Sequence, residues 1–287
     1  MVRALKKCYV AVIFAFLYAP ILVLILYSFN NSRSRGTWGG FTLRWYGELL
    51  QDRHILGSLY NTIIIAVLSA AIATVIGTAA AIGLNGWRGV QRKVIMNITY
   101  IPVLNPDIVT GISLMLLFVF ARMPLGLLTM LLAHITFNIP YVILSVLPKL
   151  KQLDTHLYEA ALDLGATPWY AFKKVILPEI MPGIITGLLL AFTLSIDDFV
   201  ISFFTTGSGV ANLSITIFSM ARRGVNPTIN AVSTLMFLAV LVLLVIVNLR
   251  VSKENSRKGR RNHEQEAYDH RHRRFGSARR LSRNHAR

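Results

Sequence analysis

The chain has 287 residues, of which 54% are hydrophobic, and it carries a formal net charge of +17. This composition is too apolar for a soluble domain and predicts a protein that crosses a membrane several times. The single cysteine excludes an internal disulfide, and the sequence contains no Walker A, HExxH, CxxC or GxSxG motif that would indicate a catalytic site.

The first predicted membrane span covers residues 9–29. It follows a short basic N-terminus, residues 1–8, and lies in an uncharged run from Cys8 to Ser32. A secretory signal peptide has a shorter apolar core, so we expect this span to be retained. The second span lies in the run from Ile55 to Trp87, whose many small residues favour close contact with neighbouring helices.

The polar segment between these spans, residues 30–58, contains three aromatic residues, among them Trp45. Tryptophan and tyrosine commonly anchor a protein at the boundary between membrane and water. The alternative is that Trp45 forms an aromatic wall for a cation at the mouth of a substrate pathway.

The third predicted span, residues 94–121, is interrupted near its middle by Pro102, Pro106 and Asp107. At 1.5 Å per residue, Asp107 lies about 20 Å beyond Lys93, inside a hydrocarbon core about 30 Å thick. A carboxylate at that depth is costly and indicates a functional site by default. We therefore predict that Asp107 lines a substrate pathway, although it also suits the cap of a broken helix.

The fourth and fifth spans are predicted at residues 125–147 and 180–206. We expect His134, in the fourth, to make a hydrogen bond between helices rather than to bind a ligand. Asp197 and Asp198, in the fifth, are adjacent and would point about 100° apart on a helix, so both cannot face lipid. Paired carboxylates also suit acid–base chemistry, but no nucleophile or metal ligand accompanies them.

A sixth span, residues 229–249, precedes a basic tail, residues 251–287, which has too few apolar residues to fold alone. We expect this tail to be attracted to anionic lipid, and the spacing of its histidines fits no defined metal site. Six spans put both termini on one side of the membrane. The basic loops fall on that same side, which makes it cytoplasmic.

The cytoplasmic loop at residues 148–178 has explicit local signals. Asp154 or Thr155 can cap a first helix, and Gly165 suits a left-handed C-terminal cap. Thr167-Pro168 can begin a second helix, which Pro178 is expected to end. We therefore predict a compact helix–turn–helix on the membrane surface.

Glu159 and Asp163 are four residues apart and share a face of the first predicted helix. Their mutual repulsion would become an attraction if a basic partner lay opposite them. They therefore suggest a docking surface, the alternative being an ordinary solvated loop.

The same loop resembles the EAA loop of bacterial ABC importer permeases. The shared pattern is Glu-Ala-Ala, three residues, Gly, nine residues and Val-x-Leu-Pro, with Val175 where the family has isoleucine. The resemblance implies a coupling helix that seats in a groove of a cytoplasmic ATPase. The residues assigned to this coupling are Glu159, Ala160, Ala161, Asp163, Gly165, Leu177 and Pro178.

Further segments look like the spermidine/putrescine importer permeases, in order over about residues 9–250. These segments are YSFNNS, WYGELL, NPDIVTGISL, LAHITFNIPYV, EAALDLGAT and LAFTLSIDDFVISFFTTG. The resemblance implies an all-α, type I ABC importer permease fold with six transmembrane helices in a bacterial cytoplasmic membrane. This chain would be the second, smaller permease subunit.

The resemblance also implies the partners of the chain. They are a homologous permease subunit, cytoplasmic ABC ATPase subunits that hold ATP and Mg, and an extracytoplasmic polyamine-binding protein. The chain itself would bind no cofactor, metal or nucleic acid and would not be an enzyme.

Polyamines are polycations, so carboxylates inside the membrane would suit them. We therefore predict a substrate pathway formed by Asp107, Asp197 and Asp198, with Trp45 at its mouth. The alternatives are an ABC permease for another small cationic or amino-acid-like solute, a cation channel or proton-coupled transporter that works without ATP, and an intramembrane aspartyl enzyme.

Overall fold

The computed structural model describes residues 2–32, 37–223, 227–242 and 245. Within these residues the chain is helical, and its one β-bridge pairs Asn30 with Phe41. The described residues up to Val240 form one compact unit. The predicted basic tail, residues 251–287, and most of the predicted sixth span beyond residue 242 lie outside the described residues.

The first six helices lie before residue 152. They are α1 (Val2–Ser28), α2 (Arg44–Gln51), α3 (Arg53–Gly86), α4 (Gly89–Leu104), α5 (Asp107–Phe120) and α6 (Leu127–Lys151). The later helices are α7 (Thr155–Asp163), α8 (Pro168–Ala171), α9 (Leu177–Asp197), α10 (Val200–Thr205), α11 (Leu213–Arg223) and α12 (Pro227–Val242).

Four described helical segments are long and apolar enough to cross a membrane: Lys6–Ser28, Arg53–Gly86, Leu127–Lys151 and Pro168–Asp197. They correspond to the first, second, fourth and fifth predicted spans, and α12 is a shorter apolar helix within the sixth. The predicted all-helical membrane architecture is therefore confirmed.

The predicted third span is a bent pair of helices. α4 and α5 meet at 109°, which makes them either one broken span or a re-entrant loop. The bend has a local cause, because a proline pushes the residue before it out of helical geometry. Asn105, which precedes Pro106, has an extended backbone with φ −78° and ψ 147°.

The core of the fold is the contact of α3, α6 and α9. Val142 of α6 is fully buried between glycines of the two neighbouring helices. A Cβ atom added to Gly77 of α3 would lie 2.7 Å from the Cβ of Val142, and one added to Gly187 of α9 would lie 3.2 Å from its Cα. Lipid supplies no hydrophobic force between helices, so this close backbone approach is what holds them together.

The prediction that Pro178 ends the second loop helix is wrong. A five-residue π-helical turn, Phe172–Ile176, follows α8 and leads directly into α9. The N–H of Leu177 donates to the carbonyl of Phe172, so the wider turn is closed just before the proline. Pro178 then lies in the first turn of α9, where its missing N–H breaks no helical hydrogen bond.

The prediction of one continuous fifth span over 180–206 is also wrong. α9 ends at Asp197 and α10 begins at Val200, because Asp198 has an extended backbone with φ −61° and ψ 123°. Asp198 and Phe199 therefore form a short break inside the predicted span.

The glycine contacts predict the effect of a larger side chain. Gly77→Leu should lower the free energy of unfolding by about 1–3 kcal/mol, because the new side chain would overlap Val142. Gly83→Leu on the same helix is the matched control, since a Cβ there meets nothing within 4 Å. The midpoint of thermal unfolding of the purified chain in detergent measures the stability of both variants. Equal midpoints for the two variants would contradict this packing.

Candidate functional site

The acidic residues of the membrane segments lie at two helix breaks. Asp107 is the first residue of α5, Asp197 is the last residue of α9, and Asp198 follows it in the break before α10. α5 packs on α10 through Gly111, whose added Cβ would lie 3.1 Å from Phe204 and 3.5 Å from the Cα of Ile201. The starts of α5 and α10 are therefore neighbours.

The packing of α5 on α10 places the break before α5 beside the break before α10. Three of the four predicted pathway residues, Asp107, Asp197 and Asp198, therefore lie at two neighbouring helix breaks.

Asp198 is occupied by contacts within the chain. Its carboxylate accepts hydrogen bonds from the backbone N–H of Ile201 at 3.1 Å and of Ser202 at 2.7 Å. The nearer carboxylate oxygen also lies 3.4 Å from Nε2 of His134, and the side chain is 8% exposed. Asp198 therefore caps α10, which leaves its carboxylate little capacity for a solute.

A buried polar cluster surrounds this cap. His134 shares a 2.9 Å hydrogen bond with the hydroxyl of Ser202, which confirms the predicted interhelical role of the histidine. The amide of Asn212 donates to the same hydroxyl at 2.7 Å and to the carbonyl of Asp198 at 3.0 Å. The side-chain oxygen of Asn212 in turn accepts from the N–H of Ile215 at the start of α11. These bonds join α6, α10 and α11.

A second buried cluster links α3, α6 and α9. Asn138 donates to the hydroxyl of Ser195 at 2.8 Å, and Ser195 shares a 3.1 Å hydrogen bond with Ser69. The sequence interpretation missed this group, as it missed Ser202 and Asn212. One signal was available, because Asn138 lies four residues after His134 and therefore on the same face of an apolar helix.

Asp107 and Asp197 differ from Asp198 in being exposed. Both lie at helix ends, and neither carboxylate belongs to a short ion pair within the described residues. An exposed carboxylate at membrane depth needs a counter-charge or water.

Trp45 does not face such a surface. Its side chain is 1% exposed, and its indole N–H donates to the carbonyl of Asn30 at 2.7 Å. The neighbouring Tyr46 shares a 2.7 Å hydrogen bond with Ser28. Trp45 thus holds α2 against the end of α1, and its buried ring offers no open face to a cation.

The loop at residues 148–178 has the local structure that its sequence predicts up to residue 171. The carboxylate of Asp154 accepts from the N–H of His156 at 3.0 Å and caps α7. Gly165 has φ +87°, the left-handed conformation expected after the helix. Thr167 accepts from the N–H of Tyr170 at 3.4 Å and caps α8.

This loop exposes both large apolar and acidic side chains. Leu157, Leu164 and Trp169 are exposed, and Leu164 is 90% exposed. Glu159 and Asp163 are exposed on the same short helix. A contiguous apolar patch edged by charges is typical of a protein-binding surface.

Solved ABC importers have a similar fold. The chain matches the structure of a bacterial ABC transporter that imports the acidic polysaccharide alginate, with a TM-score of 0.69 and 16% identity over 85% of this chain and 94% of the matched chain. It matches the MetNI methionine ABC transporter with a TM-score of 0.57 and 20% identity over 74% of this chain and 98% of the other.

Relatives of higher identity are permease proteins. The chain is 38% identical to the spermidine/putrescine transport system permease protein PotC of Escherichia coli, over 86% of this chain and 94% of the relative. It is 46% identical to the putrescine transport system permease protein PotI of Escherichia coli, over 79% of this chain and 83% of the relative. A PotC from Haemophilus influenzae is 36% identical.

A family model also matches residues 73–252, which include α4 to α12 and the whole loop at residues 148–178. Its description is "binding-protein-dependent transport system inner membrane component". The matched segment, the relatives and the fold agree, and the chain therefore belongs to the family of binding-protein-dependent transport system inner membrane components.

Proposed function

We propose that the chain is the permease subunit of an ATP-driven ABC importer that moves spermidine or putrescine across a bacterial cytoplasmic membrane. The observation that carries the substrate class is the exposure of Asp107 and Asp197 at two neighbouring helix breaks. The relatives named for spermidine and putrescine transport support the same substrate. Chains of this family are permease subunits and not enzymes.

The orientation follows from the distribution of charge. Basic loops put both termini and α7 on the cytoplasmic side. Lys151, at the cytoplasmic end of α6, is seventeen residues from His134, or about 26 Å along the helix. Asp198, which lies beside His134, is then in the outer half of a hydrocarbon core about 30 Å thick.

The continuous helical segment Pro168–Asp197, which contains the π turn, connects the proposed ATPase contact with the proposed substrate pathway. ATP-driven closure of the ATPase subunits moves α7, and the Gly165 turn passes this movement to the segment Pro168–Asp197. That segment ends at one of the two exposed carboxylates. Rocking of the two permease subunits then exposes the carboxylates to each side of the membrane in turn.

The roles divide along the chain. Asp107 and Asp197 attract the ammonium groups of the substrate, and Asp198 holds the break in place. The ATPase contact consists of Glu159, Ala160, Ala161, Asp163, Gly165, Leu177 and Pro178.

The proposed partners follow from the family. They are a second, homologous permease subunit, cytoplasmic ABC ATPases that hold ATP and Mg, and an extracytoplasmic polyamine-binding protein. The chain itself binds no cofactor in this proposal.

Uptake of labelled spermidine into proteoliposomes tests the substrate and the pathway together. The vesicles contain the chain with its permease partner, ATPase and binding protein. Asp107→Asn and Asp197→Asn should each lower ATP-dependent uptake about tenfold or more, because a hydrogen bond to a charged group contributes about 1.5–3 kcal/mol.

Asp107→Glu and Asp197→Glu are the matched controls, since they keep the charge and should retain most of the uptake. Uptake that does not need ATP would contradict the importer and favour a channel. The binding protein could stimulate ATP hydrolysis without polyamine uptake. That result would support an ABC importer and favour another small cationic or amino-acid-like solute as its substrate.

The Gly165 turn gives a separate test of coupling. Gly165→Pro should abolish ATP-driven uptake without preventing membrane insertion, because proline fixes φ near −65° and cannot adopt the observed +87°. Gly165→Asn is the control, since asparagine tolerates this conformation and a Cβ there meets nothing within 4 Å. Glu159→Lys should also uncouple transport. Normal uptake by both Gly165→Pro and Glu159→Lys would contradict the coupling role of the loop.

A further inference from the structure

A basic pocket opens at the cytoplasmic ends of three membrane helices, away from the acidic residues. It has a volume of about 510 Å³, within the range of small-ligand sites. Its lining consists of Asn85 of α3, Arg92, Lys93, Met96 and Asn97 of α4, and Lys151 of α6.

No carboxylate of the described residues neutralises the charge of this pocket. None of its three cationic side chains forms an ion pair with a carboxylate in the described residues. The sequence contains no Asp or Glu between Asp52 and Asp107, so α4 brings no counter-charge of its own. Three cations and two side-chain amides form a set of donors suited to a phosphate group.

The outer face of α4 has an apolar stripe that could hold an apolar part attached to such a phosphate group. Val90, Val94 and Ile98 are exposed and follow one another at four-residue spacing. Val94 and Ile98 each directly follow a residue that lines the pocket, so the apolar stripe runs beside the cations. The exposed Trp87 at the end of α3 suits the interface between lipid and water at this level.

We propose that this pocket binds the phosphate of an anionic phospholipid, whose acyl chains lie along the stripe of Val90, Val94 and Ile98. Basic pockets between membrane helices on the cytoplasmic side suit such head groups. A free phosphate would use the cations but not the stripe, and for this reason the geometry favours the lipid.

Retention of lipid by the full-length chain, purified with the subunits that it assembles with, tests this site. The complex is equilibrated with equal amounts of phosphatidylglycerol and phosphatidylcholine, and the bound lipids are counted by native mass spectrometry. We expect the triple variant Arg92→Gln/Lys93→Gln/Lys151→Gln to lose about tenfold or more of the preference for phosphatidylglycerol, since each cation near anionic lipid contributes about fivefold.

The matched control is Lys6→Gln/Lys7→Gln/Arg88→Gln, which removes the same charge on the same predicted side but outside the pocket. This control should keep the preference of the unmodified complex for phosphatidylglycerol. Because the basic tail is the same in both variants, any lipid that the tail attracts is the same in both. Size-exclusion profiles of both triple variants report folding. Equal retention by the two variants would overturn the proposal.

Two further measurements distinguish a phospholipid in the pocket from a free anion or a protein carboxylate. Glycerol phosphate, which lacks acyl chains, should fail to displace phosphatidylglycerol at concentrations where the lipid saturates. Displacement at equal concentration would overturn the lipid in favour of a free anion. The triple pocket variant could instead lose the ATPase subunit while its lipid retention stays unchanged. That result would overturn the lipid proposal and indicate that a carboxylate of the ATPase occupies the pocket.

Discussion

A backbone N–H inside a membrane finds no water to bond, and this constraint governs both helix breaks. At the second break, the carboxylate of Asp198 accepts the free N–H groups of Ile201 and Ser202 and so replaces the missing helical acceptors. At the first break, Asp107 lies in the first turn of α5, where the helix dipole favours a negative charge. Acidic residues therefore accompany the breaks, and the one that stabilises its break most fully is the least able to bind a solute.

The rest of the membrane core depends on how closely backbones approach. Val142 fills the space that Gly77 and Gly187 leave, and Gly183 lies against the carbonyl of Ser145. Such contacts hold α9 rigidly on α6, and the buried bonds of Asn138 and Ser195 fix the level at which the two helices meet. In the proposed mechanism α9 therefore moves together with α6 and carries Asp197 with it.

Much of this arrangement could be predicted from sequence because its signals are local. The caps at Asp154 and Thr167 and the left-handed Gly165 each depend on a few neighbouring residues. The end predicted at Pro178 was wrong because a π turn upstream removes the hydrogen bond that a proline would break. The roles of Ser202, Asn212 and Ser195 could not be found, because their partners lie on helices distant in the sequence. The burial of Trp45 depends likewise on the way α2 folds back on α1.

The π turn at Phe172–Ile176 also determines how α8 is rotated about the helix axis relative to α9. A π turn contains one residue more than the α-helical turn it replaces, and each residue of an α-helix advances the side chains by about 100°. The extra residue therefore offsets the face of Pro168–Ala171 from the glycine face of α9. Removing one residue here would leave every cap and every glycine intact, yet it would turn the surface proposed to contact the ATPase by about a quarter of a revolution. The length of this turn, as much as its composition, determines which side chains of the loop face the partner.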